Sequence, residues 1–326
     1  MRVGLINRSN RFPLIAISSF VFLVLAGWII TRPVDVFPTN SDGYVLTVSL
    51  GCMALYLTSH LLRAVRLSVI GLSVHRTSFR TLALLHLAVA PWSMIAPFKI
   101  DELIRLNELR SINGSLTRAA ITVIIDRSMD GPALLLIAMY LNFTEVVPNP
   151  AALYAGLIGS ALLAITLSFF ALSYALQIFQ RYIFMYHYKP RAINALRIIH
   201  QLRLLALTGR RTILSAAPML ILCTIGIWCF EISAVGLLIY YVEPAQADLH
   251  SIVTATLVRA NSGWRELLLG ETAEFPAAFM TIVFSAGLLL LWPFAAMLYY
   301  RRRHNEVEHA QYLSRELTSS ASGIRV

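Results

Sequence analysis

The chain has 326 residues, of which 57% are hydrophobic and only 13% charged, with a formal net charge of +10. A soluble domain carries about twice that charged share, and its charge is not gathered between long apolar runs as it is here, so a soluble enzyme is excluded. The basic excess reads as membrane orientation rather than nucleic-acid binding, because Lys and Arg collect in cytoplasmic loops. An outer-membrane barrel is excluded too, because no alternating strands of about ten residues appear.

The chain opens on a basic stretch, Arg2, Arg8 and Arg11, followed by the apolar run 12–30. No small-residue cleavage site follows, so the run is expected to be a retained signal anchor. Further runs long enough to cross a hydrocarbon core of about 30 Å lie at 44–62, 119–141, 151–180, 212–241 and 275–300. Two segments, 79–111 and 250–270, are apolar but broken. The first holds Pro91 and Pro97, then the charged stretch Lys99, Asp101, Glu102 and Arg105; the second holds Asn261, Ser262 and Gly263. The pieces of the second are too short to span at 1.5 Å per residue.

Loop charge decides how the broken segments are counted. The connection 181–211 carries Arg181, Lys189, Arg191, Arg197, Arg203, Arg210 and Arg211, whereas 142–150 carries Glu145 and no Lys or Arg. The segment 63–80 is basic as well, through Arg63, Arg66, Arg76 and Arg80. The basic segments are expected in the cytoplasm and 142–150 outside. That holds only if 79–111 enters from the cytoplasm and returns to it. Downstream, 242–249 carries Glu243 and Asp248 but no cation, while the tail begins Arg301-Arg302-Arg303. The segment 250–270 therefore enters and leaves from outside.

The expected architecture is an all-α polytopic membrane protein with six transmembrane helices and two re-entrant helical hairpins, as one membrane domain over 1–326. Repeat one is 12–141, with its hairpin at 79–111; repeat two is 151–300, upside down, with its hairpin at 250–270; 301–326 is a cytoplasmic tail. Inverted repeats with broken helices are a transporter signature, placing polar backbone where substrate binds near the midplane. The stretch 191–207 reads as an interfacial helix, with Ala195, Leu196, Ile199, Leu202 and Ala206 on one face and Asn194, Arg197 and Gln201 opposite.

Charge within apolar segments marks candidate sites, because each such residue costs about 2.5–3.5 kcal/mol on insertion scales. Asp126 and Asp130 are four apart and share a helix face, with Arg127 between them. These three residues form either a buried ion pair tying their helix to the first hairpin or an anion site in which carboxylates orient an arginine. Glu102 and Arg105 are three apart and able to pair. The cluster is either a solvated cytoplasmic turn or a site; a site is favoured because Pro97 breaks a helix just before it, and the restarted helix would offer free N–H groups to an anion. Arg259, Arg265 and Glu266 play the corresponding part in the second hairpin, where Gly263 permits a sharp turn. Glu231 stands alone in 212–241, either paired with one of those arginines or coupling a proton. Cys52, Cys223 and Cys229 fall in apolar runs and read as core residues. The histidines show no metal-ligand spacing, and there is no phosphate-binding loop or nucleophile elbow, so no cofactor is expected.

In order and spacing, these landmarks resemble the lysylphosphatidylglycerol synthase transmembrane, or flippase-like, family over nearly all of 12–300. The matching pieces are the basic stretch Leu62-Arg63-Ala64-Val65-Arg66-Leu67; Pro97 with Asp101, Glu102 and Arg105; Asp126, Arg127 and Asp130; and the turn from Arg259 through Glu266. Asp101 stands where the family has glycine, and Arg259-Ala260-Asn261 where it has Pro-Gly-Gly. The DedA family, which also pairs re-entrant hairpins, fits the motif order less well. The resemblance implies a stand-alone form without the family's soluble aminoacyltransferase domain. It implies a non-enzymatic lipid translocase of a bacterial or archaeal-type plasma membrane, with both termini cytoplasmic. Its substrate would be an anionic phospholipid, an aminoacyl-phospholipid or a polyprenyl-phosphate-linked headgroup. Lys99, Asp101, Glu102, Arg105, Asp126, Arg127, Asp130, Arg259, Arg265 and Glu266 are the expected substrate-binding residues. The alternatives are a membrane-embedded headgroup transferase and an accessory subunit of a separate lipid or glycan synthase.

Overall fold

The computed structural model describes residues 42–75, 77–95, 100–144, 150–186, 190–242, 244, 247–262, 283–303 and 305. Their regular elements are helical and none is a strand. In chain order these are α1 (Asp42–His75), α2 (Phe79–Val89), α3 (Trp92–Ile95), α4 (Ile100–Asn113) and α5 (Leu116–Ser128). They continue as α6 (Gly131–Thr144), α7 (Pro150–Tyr186), α8 (Pro190–Val242), α9 (Leu249–Ser262) and α10 (Val283–Arg303). Four of them, α1, α7, α8 and α10, are long and apolar enough to cross a membrane. Large apolar side chains such as Leu153, Leu157, Phe184, Leu222 and Phe294 face outward. An apolar exterior of that extent suits lipid and not water. The fold is that of an α-helical membrane protein.

The expected run 12–30, the second half of the segment 250–270 and the start of 275–300 lie outside the described residues. The other runs are found as helices, with three differences. First, 63–80 is not a basic loop: α1 continues unbroken to His75, so Arg63 and Arg66 are helical and turned inward. Second, 191–207 is not a separate interfacial helix, because α8 runs continuously from Pro190 to Val242. Its expected apolar face still turns inward at Ile199 and Ala206, though Leu202 is exposed. Third, 119–141 is broken into α5 and α6 at Met129 and Asp130. Of the cysteines, Cys52 and Cys223 are buried and Cys229 is exposed.

The break has a local cause. Pro132 carries no N–H, so the Ser128 carbonyl four residues back has no helical donor. The backbone tightens there, with the Asp130 N–H donating to Arg127 O at 3.1 Å. The Thr166 hydroxyl of α7 then donates to Ser128 O at 3.4 Å, shared with its own Leu162 O at 3.1 Å. We expect Thr166→Val to cost about 1 kcal/mol, the net worth of one such bond, read as a lowered melting temperature in detergent. An unchanged melting temperature would show that the carbonyl finds another donor.

Helices α2 and α4 form an antiparallel pair whose open ends lie together. Arg302 near the end of α10 donates to Ser78, the N-cap of α2, and Arg303 bonds Glu108 and Ser111 late in α4. Ten residues back along α10, the Trp292 indole donates to Ala88 O at 2.8 Å, which satisfies an orphan carbonyl at the end of α2. Chain reversal into α5 uses Gly114, at φ +66°, a left-handed conformation glycine adopts without strain. Ser115 then caps α5, its hydroxyl accepting from the Arg118 N–H.

One end of the bundle is basic. His75 and Thr122 (2.8 Å) tie the end of α1 to α5, and Ser73 and Thr212 (2.9 Å) tie it to α8. Exposed Arg80, Arg110, Arg118, Arg210, Arg211 and Arg301 collect at this end. The opposite end holds the end of α6 and the start of α9, joined by Thr144 and His250 at 3.2 Å. There Asp248 caps α9, and the Ser251 N–H it accepts at 2.6 Å holds its carboxyl below the usual carboxylate range. From that end, α9 runs inward for 14 residues, about 21 Å.

Candidate functional site

A chain of ion pairs is buried where α1, α4, α5 and α8 meet. Its centre is Arg66 of α1, whose side chain is 0% exposed. Its Nε donates to Asp126 Oδ1 at 2.8 Å, and its Nη1 and Nη2 donate to the two Asp130 oxygens at 2.6 and 3.2 Å. The same Nη1 lies 3.2 Å from Thr224 Oγ1 of α8. A planar guanidinium supplies this fork, and a lysine does not. The turn after α5 lets Asp126 and Asp130 grip Arg66 from two sides.

The second oxygen of Asp126 accepts from Arg105 Nη1 of α4 at 3.3 Å. Arg105 also lies 3.7 Å from Asp101, one turn earlier on α4. Asp101 in turn accepts from Arg127 Nη2 at 3.3 Å, and Arg127 Nε lies 2.8 Å from Glu102. Glu102 therefore faces Arg127 and not Arg105, the partner its spacing suggested. Arg127 and Glu102 are the accessible edge of the chain, at 26% and 27% side-chain exposure.

A second pair stands beside it. Arg63 Nη2 donates to Glu231 Oε1 at 2.8 Å, and the Ser59 hydroxyl donates to the same oxygen at 3.2 Å. Glu231 thus finds its partner on α1 rather than in the second hairpin. Among the described residues, four arginines face five carboxylates here: Arg63, Arg66, Arg105 and Arg127 against Asp101, Glu102, Asp126, Asp130 and Glu231.

The depth of this chain follows from helix lengths. Asp126 lies about 15 Å from the start of α5 at the basic end, and Asp130 about 21 Å from the end of α6. The charges sit near the middle of the bundle.

Of the ten expected residues, the structure brings six together: Asp101, Glu102, Arg105, Asp126, Arg127 and Asp130. Arg259 belongs to the last turns of α9, and its side chain lies outside the described residues, as do Lys99, Arg265 and Glu266. The first turn of α4 carries Asp101 and Glu102, whose charge already suits the positive end of the helix. An outside anion would have to compete with them for that end. Arg66 and Arg63 were missed as partners because they were counted with a basic loop. A signal was available: two cations three apart inside a helix that stays apolar to its end need buried partners.

This ion chain holds helices together whatever else it does, since removing one member leaves another charge uncompensated in a low-dielectric interior. What it adds chemically is a set of guanidiniums able to trade a carboxylate for a phosphate. No family model, curated protein or solved structure matches the chain.

Proposed function

We propose that the protein is a lipid translocase of the flippase-like type, moving an anionic or polyprenyl-phosphate-linked headgroup across a bacterial or archaeal-type plasma membrane. The observation that carries this reading is the buried ion chain with one accessible edge, set in a bundle whose exterior is apolar. A headgroup phosphate would displace Glu102 from Arg127, with Arg105 next in line, while the acyl or prenyl tails stay in lipid. Asp101, Asp126 and Asp130 would hold the arginines in place and meet an amine or sugar.

The two hairpins of an inverted repeat are part of the proposal. The pair α2 and α4, 11 and 14 residues long, opens toward the basic end. These helices are too short to cross about 30 Å of hydrocarbon singly. In this reading the basic end is cytoplasmic, as positive charge favours. Helix α9 starts from the opposite end and would supply the first arm of the second hairpin, near whose tip the sequence order would put Arg259, Arg265 and Glu266. By sequence order Lys99 would lie near the tip of the first. Rocking of the repeats would alternate access.

The test is leaflet exchange in reconstituted vesicles, with labelled phosphatidylglycerol, aminoacylated phosphatidylglycerol and a polyprenyl-phosphate sugar. Selective exchange is expected, falling at least about tenfold (about 1.4 kcal/mol) in Arg127→Ala. Wild-type exchange in a folded Arg127→Ala protein would overturn the assigned role. Turnover of a lipid in detergent, where no leaflets exist, would establish a transferase instead. A stable complex with a synthase that works equally well with Arg127→Ala would establish an accessory subunit.

A further inference from the structure

Beside the ion chain lies a group that the chain does not use. His86 of α2 is 2% exposed, in the interior of the bundle. Among the described residues, neither of its ring nitrogens has a hydrogen-bond partner. Its ring is 5.8 Å from that of His60 on α1 (centroid to centroid), and His60 stands edge-on to Tyr56 at 4.7 Å. The charged side chains that act on His86 are Arg63 on α1, Arg105 on α4 and Arg127 on α5, besides His60. Glu231 of α8 pairs with the Arg63 of this group.

A buried polar atom without a partner costs of the order of 1–3 kcal/mol, so its presence here calls for a reason. Packing alone does not supply one, since Phe or Leu would fill the same space on α2 without that cost.

Charge balance supplies a reason. With both histidines neutral, the described cluster carries four cations and five anions. An anionic headgroup seated on Arg127 and Arg105 adds a negative charge to a cluster already short of cations, in a medium that penalises every uncompensated charge. A proton placed on His86 at the same moment returns the described cluster to its starting excess of one negative charge. Without the headgroup, that proton would face three arginines whose carboxylate partners already lie against them. Proton and headgroup therefore favour each other's binding, and the effect is reciprocal.

We propose that His86, with His60 behind it, is a proton-accepting site that takes up a proton when an anionic headgroup engages Arg105 and Arg127, so that headgroup and proton cross together. The proposal rests on the translocase reading and adds its coupling ion. The chemistry is simple: an imidazole nitrogen lone pair takes a proton from water on the loading side and returns it to water on the other. An N–H bond forms and then breaks, and nothing is oxidised or reduced.

The experiment is proton uptake on binding. Purified protein in weakly buffered detergent with a pH-indicator dye is mixed with short-chain phosphatidylglycerol, and separately with short-chain phosphatidylcholine. Uptake on the order of one proton per bound phosphatidylglycerol is expected, and none with the zwitterionic lipid. Uptake should vanish in His86→Phe. Should that variant not fold, nitrogen-15 NMR of the histidine rings in the wild-type protein reads the same event directly, as conversion of a neutral ring to imidazolium when phosphatidylglycerol is added. In vesicles, exchange should quicken as the loading side is acidified, about tenfold per pH unit at most for one coupled proton. Phosphatidylglycerol binding or exchange without proton uptake, or uptake undiminished in folded His86→Phe, would overturn the coupling and leave the translocase standing. Absence of both binding and exchange for every lipid would overturn both.

Discussion

Arg66→Met will cost the protein about 3–5 kcal/mol, enough to lose most of the folded material in detergent. The side chains are similar in length, so little volume is lost; the effect comes from charge. Arg66 holds Asp126 through Nε and Asp130 through both terminal nitrogens, and its own side chain is fully buried. Removing one partner of a buried pair leaves the other charge without compensation, and that penalty sets the size of the loss. Here two carboxylates are left, with Arg105 still touching only the far oxygen of Asp126. Arg66→Lys should fall between: it keeps the charge but cannot bond both aspartates through a fork. The triple variant Arg66→Met, Asp126→Asn, Asp130→Asn should recover much of the loss, because it removes the charges together. The measurement is a thermal melt followed by size-exclusion fluorescence. A single Arg66→Met variant as stable as wild type would mean that water reaches these carboxylates and the site is not dry.

The same residues show what was legible in the sequence. Long apolar helices are visible from composition and run length, so α1, α7, α8 and α10 are all legible, though α1 runs about three to four turns past its expected end and α8 starts about six turns before its expected start. The grouping of Asp101, Glu102, Arg105, Asp126, Arg127 and Asp130 was also legible, because charge is rare in such segments and stands out. The pairing within that group was not. Spacing of three suggested Glu102 with Arg105, yet α5 packs beside α4 so that Arg127 meets Glu102 instead. Sequence-local rules describe neighbours on one helix; they do not say which helix comes alongside. Arg66 was misplaced for a related reason. Loop charge fixes the topology, and a cation that counts as loop cannot also count as core. The continuity of α8 was hidden as well, since a polar-faced stretch followed by an apolar one reads as two elements when no strong breaker stands between them.

The break itself depends on how closely α6 and α7 approach, and this gives the second large expected effect. Gly131 and Gly159 face each other so closely that a Cβ on either would crowd its neighbours. A Cβ on Gly159 would lie 3.0 Å from Gly131 O, 3.0 Å from Leu135 N and 3.0 Å from Leu135 Cγ. A Cβ on Gly131 would lie 2.9 Å from Leu162 Cβ and 3.0 Å from Gly159 O. Two of the three contacts at Gly159 are backbone, which cannot swing aside as a side-chain tip can. Small residues that let backbones touch are a common way to join helices in lipid, where no hydrophobic force pulls them together. Gly159→Ala should therefore cost about 1–3 kcal/mol, the usual range for overpacking. Gly159→Leu should part the helices altogether. Gly156, one turn earlier, is the control: a Cβ there would meet Ala138 Cβ at 3.5 Å, an ordinary contact. Gly156→Ala should be neutral or stabilising by up to about 1 kcal/mol, since alanine is the better helix former. The opposite signs of two identical substitutions one turn apart separate close packing from helix propensity. Parting α6 from α7 also withdraws Thr166 from Ser128 O and frees the turn that carries Asp130. Gly159→Ala should therefore loosen the grip on Arg66 as well, so that the double variant Gly159→Ala, Arg66→Met loses less than the two single losses added together. Strict additivity of the two losses would show that the helix contact and the ion chain are independent.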